Sequence, residues 1–170
     1  MKTFITGIAG FAGYHLAELF TKKGYEVSGT FFDKSTFSNL NGFINKIKLY
    51  RCNFRDYNAV KKVIQNIKPD EIYLLVAIFF LPTSLKDPKL TFDTNLYGTL
   101  NLYQAVTDLE INPPILFIGS ADEYGMLNGN KLPIKEECPL NPGNPYSISK
   151  ASADFLSFFI LKMIGCLLFV

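Results

Sequence analysis

Tryptophan is absent from the chain, and histidine occurs once, as His15. A metal site built on clustered imidazoles is therefore excluded. The three cysteines, Cys52, Cys138 and Cys166, are odd in number and widely scattered. That set excludes a disulfide framework and a zinc ligand group, and it fits a reducing cytoplasm. Charge of either sign is sparse: 17 basic against 15 acidic residues leave a net charge of +2. This is far from the basic footprint of a nucleic-acid binder, so none is expected as a partner. The longest apolar stretch, 155–170, is interrupted by Lys162 and Gly165. It falls short of the roughly 20 residues that span a bilayer, so a buried helix followed by a buried strand is expected and no membrane partner. The start of the chain runs from Lys2 and a short apolar strand straight into glycines, without the cleavage-site pattern of an export signal.

What remains is a chain of 170 residues, 48% apolar and only 19% charged, the length and composition of one domain with a sizeable core. Short apolar runs alternate with helical patterns throughout. Strands are predicted at 2–6, 26–31, 47–51, 71–77 and 115–118. Helices are predicted at 11–23, 57–67, 89–109 and 146–164, with a Pro/Gly/Asn-rich loop over 121–145. The run 71–77 has hardly a polar side chain, as in a strand covered on both faces. The alternation predicts an α/β domain: a doubly wound parallel sheet with helices on both sides. It breaks off just as a sixth strand, 166–170, begins.

Thr6-Gly7-Ile-Ala-Gly10-Phe11-Ala12-Gly13 follows the first strand and opens the first helix. Glycines here allow a tight turn and a close backbone approach, so that free amides of residues such as Phe11 and Ala12 face a pyrophosphate. Glycine spacing alone is weak, and turn punctuation is its plainer explanation; its place between strand 1 and helix 1 is what counts. Asp33, near the end of strand 2, reads either as an acceptor for adenosine ribose hydroxyls, favouring NAD, or as a solvated loop residue. Lys34 beside it has the opposite charge preference. Asn53 and Phe54, just past strand 3, are candidates for the adenine edge and face, and Ala77 ends strand 4 at the same crevice.

Tyr146 and Lys150 stand at i and i+4 on one helical face. An ammonium beside a phenol stabilises the phenolate and brings a poor acid/base towards neutral pH. Ser120 ends strand 5, where open α/β sheets place ligands. Tyr-x-x-x-Lys by itself is common in ordinary helices.

Thr6-Gly-x-x-Gly-x-x-Gly13, Ser120-Ala-Asp-Glu-Tyr-Gly125, Pro139-Leu-Asn-Pro142 and Pro145-Tyr146-x-x-x-Lys150-Ala-x-Ala-Asp154 occur together and in order, with Asp93-Thr-Asn95-Leu-Tyr-Gly98-Thr-Leu-Asn-Leu102 between the first two. This set resembles the extended short-chain dehydrogenase/reductases that modify nucleotide sugars. The resemblance implies a Rossmann-type fold over 1–170 that binds NAD or NADP through Gly7, Gly10 and Gly13. It implies Tyr146 as acid/base, Lys150 as its partner and nicotinamide-ribose contact, Ser120 as the substrate-orienting hydroxyl and Asn95 as a nearby support. In the family's chemistry the tyrosine removes a sugar-hydroxyl proton while C4 gives hydride to the cofactor. The Ser120–Tyr124 segment most resembles GDP-mannose 4,6-dehydratases and GDP-4-keto-6-deoxy-mannose reductases, so the implied substrate is a GDP-linked sugar. A nucleotide-sugar 4-epimerase of the same family is the alternative. Asp122 occupies the position of the dehydratases' C5 base, one methylene shorter, and reads as that base or as an orienting group. The family's helices matching 89–109 and 146–164 commonly pair across a dimer axis, which implies a homodimer.

Two departures stand out. Ile78 and Phe79 replace the family's polar Gln-Ser pair, and the half that supplies most of the sugar-nucleotide pocket is missing. A truncated, impaired cofactor-binding or interaction remnant is therefore the competing reading. His15 reads as a helix-surface or phosphate-adjacent residue and Lys61-Lys62 as a solvated face. The pairs Phe31-Phe32, Phe79-Phe80 and Phe158-Phe159 read as packing.

Overall fold

A computed structural model describes residues 1–33, 40, 42–126, 132–164 and 168–169. Lys34 and, of the strand predicted at 166–170, Cys166, Leu167 and Val170 lie outside the described residues. Six parallel strands form one sheet in the order β3-β2-β1-β4-β5-β6: β1 (Lys2–Ile5), β2 (Glu26–Phe31), β3 (Lys48–Arg51), β4 (Glu71–Leu74), β5 (Ile115–Phe117) and β6 (Leu168–Phe169). The expected doubly wound α/β sheet is thus present. Chain order reverses between β1 and β4, and a crevice opens there beyond the carboxyl ends of the strands.

Period-two alternation divides the strand side chains between two cores. Phe4, Ile72 and Leu74 join Val60, Ile64, Leu102 and Val106 on one face. Ile5, Val27, Tyr73 and Leu75 join Ala17 and Phe20 on the other. The first core is covered by α2 (Tyr57–Ile67) and α5 (Gly98–Asp108), the second by α1 (Phe11–Lys22). No helix among the described residues is long and apolar enough to cross a membrane.

Three expectations are corrected. The fourth strand ends at Leu74, three residues early, because the Leu75 and Val76 amides leave the ladder to donate to the Thr6 hydroxyl, each at 2.9 Å. The helix predicted over 89–109 is α4 (Pro88–Phe92), a π-helical turn (Asp93–Tyr97) and α5 in succession, and a short α3 (Leu81–Lys86) precedes it. Asp87 separates α3 from α4: its side chain accepts the Leu90 amide, and Pro88 starts the new helix without needing a donor. The phenylalanine pairs, expected in packing, are largely outside the core, with Phe32, Phe79, Phe80, Phe158 and Phe159 all exposed.

Candidate active site

The glycine loop is fastened from both sides. Thr6 is buried below its two amide donors, while the Ile8 amide donates to the Thr30 carbonyl at 3.0 Å and the Gly7 amide to the Thr30 hydroxyl at 3.3 Å. Gly7 turns with a φ of +65°, a conformation that a side chain disfavours. At Gly13 the demand is for space: a Cβ would lie 2.5 Å from the Gly7 carbonyl oxygen and 2.8 Å from the Ile8 Cα. Helix α1 begins without a side-chain cap or an acidic residue in its first turn. Its leading amides, at Phe11, Ala12 and Gly13, lack intrahelical acceptors and face outward with the positive end of the helix dipole.

Over this loop lies a cavity of about 500 Å³, lined among others by Gly7, Gly10, Phe11, Ala12, Gly13, Asp33 and Ala77. A second cavity of about 220 Å³ shares Phe32, Val76 and Ala77 with it and adds Asn53, Phe54 and Arg55. A glycine cradle that a Cβ would fill, bare helix amides and a carboxylate at the rim fit a dinucleotide. Phe54 is itself almost wholly buried and sits beneath Gly98, so only part of its ring borders the second cavity.

The residues expected at the reaction centre come from the turn after β5 and from α6 (Pro145–Ile164). Asn144 sets the start of α6: its side chain accepts the Ser147 amide at 2.9 Å, and the Ser147 hydroxyl accepts the Asn144 amide at 3.1 Å. This reciprocal pair, with Pro145 in the first turn, fixes half-buried Tyr146 between them. One turn on, Lys150 is 6% exposed, donates to the Ile118 carbonyl and lies 4.2 Å from the Phe117 ring centroid. Burial lowers its pKa to about 8, opposed by the carboxylates of Glu123 and Asp154.

Ser120 caps the 3-10 turn that leaves β5 (Ala121–Tyr124). Its hydroxyl oxygen accepts the Asp122 amide at 3.2 Å and its own amide donates to Glu123 Oε1 at 2.7 Å. Asp122 is exposed, with its side chain outside the turn's hydrogen bonds. The Lys150 ammonium is therefore seated at the carboxyl end of β5, on a carbonyl two residues in sequence before Ser120, and Tyr146 stands one turn before Lys150.

Asn95, expected as a support near the cofactor site, borders neither of the two cavities. It is buried in the π-helical turn, bonded to the Ile78 backbone and to the Ser149 hydroxyl, which in turn donates to the Tyr146 carbonyl. Its place is that of a support, because the widened turn directs it into the protein rather than towards the crevice. His15 is exposed on α1 and meets Phe11 and Tyr14 edge-on, as a surface residue does.

Glu123, Asp154 and Thr6 enter the site as members of the quoted motifs to which the sequence assigned no role of their own. Ser120-x-x-Glu123 was readable as a capping box, and Asp154 follows Lys150 at i+4. That Glu123 also acts on Lys150 depends on how β5 and α6 are brought together.

The sequence model of the family described as GDP-mannose 4,6 dehydratase matches residues 4–163. The chain belongs to the NAD-dependent epimerase/dehydratase family. Among its relatives, UDP-glucose 4-epimerase of Lactobacillus helveticus is 33% identical over 150 residues, which cover 88% of this chain and 44% of that enzyme. The UDP-glucose 4-epimerase of Thermus thermophilus, solved in complex with NAD, superimposes with a TM-score of 0.88 at 26% identity, covering 99% of this chain and 53% of that one. RMD from Pseudomonas aeruginosa, solved with NADPH, gives a TM-score of 0.77 at 27% identity over 98% of this chain and 50% of that one. The chain thus spans about half the length of the family members it matches.

Proposed function

We propose that residues 1–170 are the NAD(P)-binding half of a nucleotide-sugar dehydratase or reductase acting on a GDP-linked sugar. The observation that carries this reading is the pairing of the glycine cradle, with its bare amides and Asp33 at the cavity rim, with Lys150 at the end of β5. Asp33 binds ribose hydroxyls and disfavours a 2′-phosphate, which weights the choice towards NAD. The dinucleotide, when bound, accepts or returns a hydride at the sugar C4. The Tyr146 phenolic oxygen takes or returns the proton of the C4 hydroxyl, and the Lys150 ammonium holds the phenolate form. Ser120 has its hydroxyl oxygen engaged by the Asp122 amide, which leaves the hydroxyl proton for donation to a substrate oxygen. Asp122 is exposed and free to meet substrate, in keeping with a role at C5.

The similarity to UDP-glucose 4-epimerases keeps 4-epimerisation as the alternative chemistry. Phe79 at the cavity in place of a polar residue weakens substrate hydrogen bonding and supports low turnover by this chain alone. A separate observation supports self-association: Phe155, Phe158 and Phe159 are each more than 60% exposed at i, i+3 and i+4 on α6. A homodimer formed through α4–α5 and α6 buries them.

Calorimetric titration of the purified chain with NADH and NADPH tests the cofactor reading. Saturable binding of one, lost in Gly13→Ala, is expected; a folded chain that binds neither overturns it. Light scattering across concentration tests the dimer, which a strictly monomeric chain overturns.

A further inference from the structure

A buried carboxylate beside Lys150 has no assigned role in the chemistry above. Glu123 is 4% exposed, yet it sits at the third position of a single 3-10 turn, where solvent is the ordinary surrounding for a glutamate. A charge is kept buried at such cost only where hydrogen bonds and a counter-charge hold it. Both are present. Oε1 accepts the Ser120 amide at 2.7 Å, and Gly119 leaves room for that oxygen, which a Cβ there would meet at 3.3 Å. The Glu123 carbonyl accepts the Asn141 amide at 2.9 Å, which fastens the turn to the loop running on to α6. The opposite charge acting on it is Lys150, which makes no direct ion pair with Glu123; its ammonium is bonded to the Ile118 carbonyl, two residues before Ser120.

We propose that Glu123 is a positioning residue of the reaction centre: its buried carboxylate orients Ser120 and keeps the Lys150 ammonium charged and seated at the end of β5. The assignment rests on the reading of Ser120, Tyr146 and Lys150 as the reaction centre. Burial raises the Glu123 carboxyl above the usual range and Asp154 adds to this, while the Ser120 amide and Lys150 oppose it. Asp154, half-buried on α6, is the other carboxylate acting on Lys150. Lys89 and Asp93, on the neighbouring α4 and π-helical turn, pair with each other at 2.5 Å. Glu123 thus links the serine to the lysine: one side chain holds the Ser120 backbone by a hydrogen bond from its amide and acts on the Lys150 ammonium by charge.

Glu123→Gln keeps an acceptor for the Ser120 amide and removes the charge; Glu123→Asp keeps the charge and shortens the reach. The test follows the Lys150 side chain by carbon-detected NMR from pH 6 to 11, assigned against Lys150→Arg, together with hydrogen exchange of the Ser120 amide. With glutamine, the Lys150 titration midpoint falls below that of wild type while Ser120 protection is kept. With aspartate, the midpoint stays near wild type while Ser120 exchange accelerates at least severalfold. A Lys150 midpoint unchanged by glutamine, or Ser120 exchange unchanged by aspartate, overturns the proposal, and the aspartate arm decides if the glutamine variant does not fold. A parallel NADH titration separates the two readings. Wild type that binds no dinucleotide, with Lys150 still responding to Glu123, overturns the proposed function and leaves the coupling of the two side chains supported.

Discussion

Asn95 grips Ile78 by both of its backbone polar groups, accepting the Ile78 amide at 2.7 Å and donating to the Ile78 carbonyl at 3.0 Å. A single side chain thereby takes the place of a neighbouring strand for a segment that has left the sheet. The same amide nitrogen donates to Ser149 at 2.9 Å, so the π-helical turn, the segment after β4 and the first turn of α6 are joined at one point.

Removing that side chain strands several buried polar groups at once. Asn95→Ala is expected to cost about 3 kcal/mol, since each orphaned group costs roughly 1–3 kcal/mol. Urea denaturation reads the loss. Asn95→Asp keeps the acceptor for Ile78 and is expected to lose less; equal loss in both variants contradicts the account.

Thr6→Val preserves shape and removes the acceptor for the Leu75 and Val76 amides. A loss of about 2 kcal/mol is expected by the same reasoning. Because both amides border the crevice, dinucleotide affinity falls as well. A valine variant as stable as wild type sinks the assignment.

Gly13→Ala places a methyl group against the Gly7 carbonyl and the Ile8 backbone, neither of which is a flexible side-chain end. Overpacking of this kind costs about 1–3 kcal/mol. Chemical denaturation and NADH titration should fall together in this variant, and an alanine protein that binds as wild type does is the contrary result.

Much of the architecture was legible because the strands announce themselves by alternation and the helices by spacing. The strand at 26–31 and the helix at 57–67 coincide with β2 and α2. The end of β4 was not legible, because Leu75 to Ala77 are as apolar as the strand, and only Thr6, far away in sequence, draws their amides out of the ladder. Helix 89–109 hid its π-helical turn for a similar reason: apolar spacing reports a face, not a one-residue widening. At the site, Ser120, Tyr146 and Lys150 were visible as a motif. Glu123 was not, since its neighbours in sequence say nothing of the lysine that arrives from α6. The exposed phenylalanines were misjudged because composition cannot separate a core ring from one left at the surface.

Lys150 makes stability depend on alkaline pH in a stated direction. Its folded pKa is about 8 against an ordinary 10.5. Between these values the unfolded chain holds a proton that the native state has released, so this group makes stability rise with pH across that window. Below pH 8 both states are protonated and its contribution is flat. Urea midpoints at pH 7.5 and 10 should show wild type gaining on Lys150→Met as pH rises; parallel midpoints count against a buried lysine.

Phe79 is 74% exposed and borders the larger cavity. Phe79→Ser should leave stability within about 0.5 kcal/mol of wild type, as surface changes do. A large fall in the thermal midpoint instead returns Phe79 to the core.

The glycine loop has a thermodynamic consequence. With the Gly7 and Ile8 amides held by Thr30, and Thr6 clasping the end of β4, the loop is rigid before any anion arrives. Binding then orders little backbone, and an interaction made by three preset amides is not eroded by the entropy of freezing a flexible segment. On the proposed reading, the affinity of this domain for a pyrophosphate would be a property of its β-sheet, set by the strands that hold the loop.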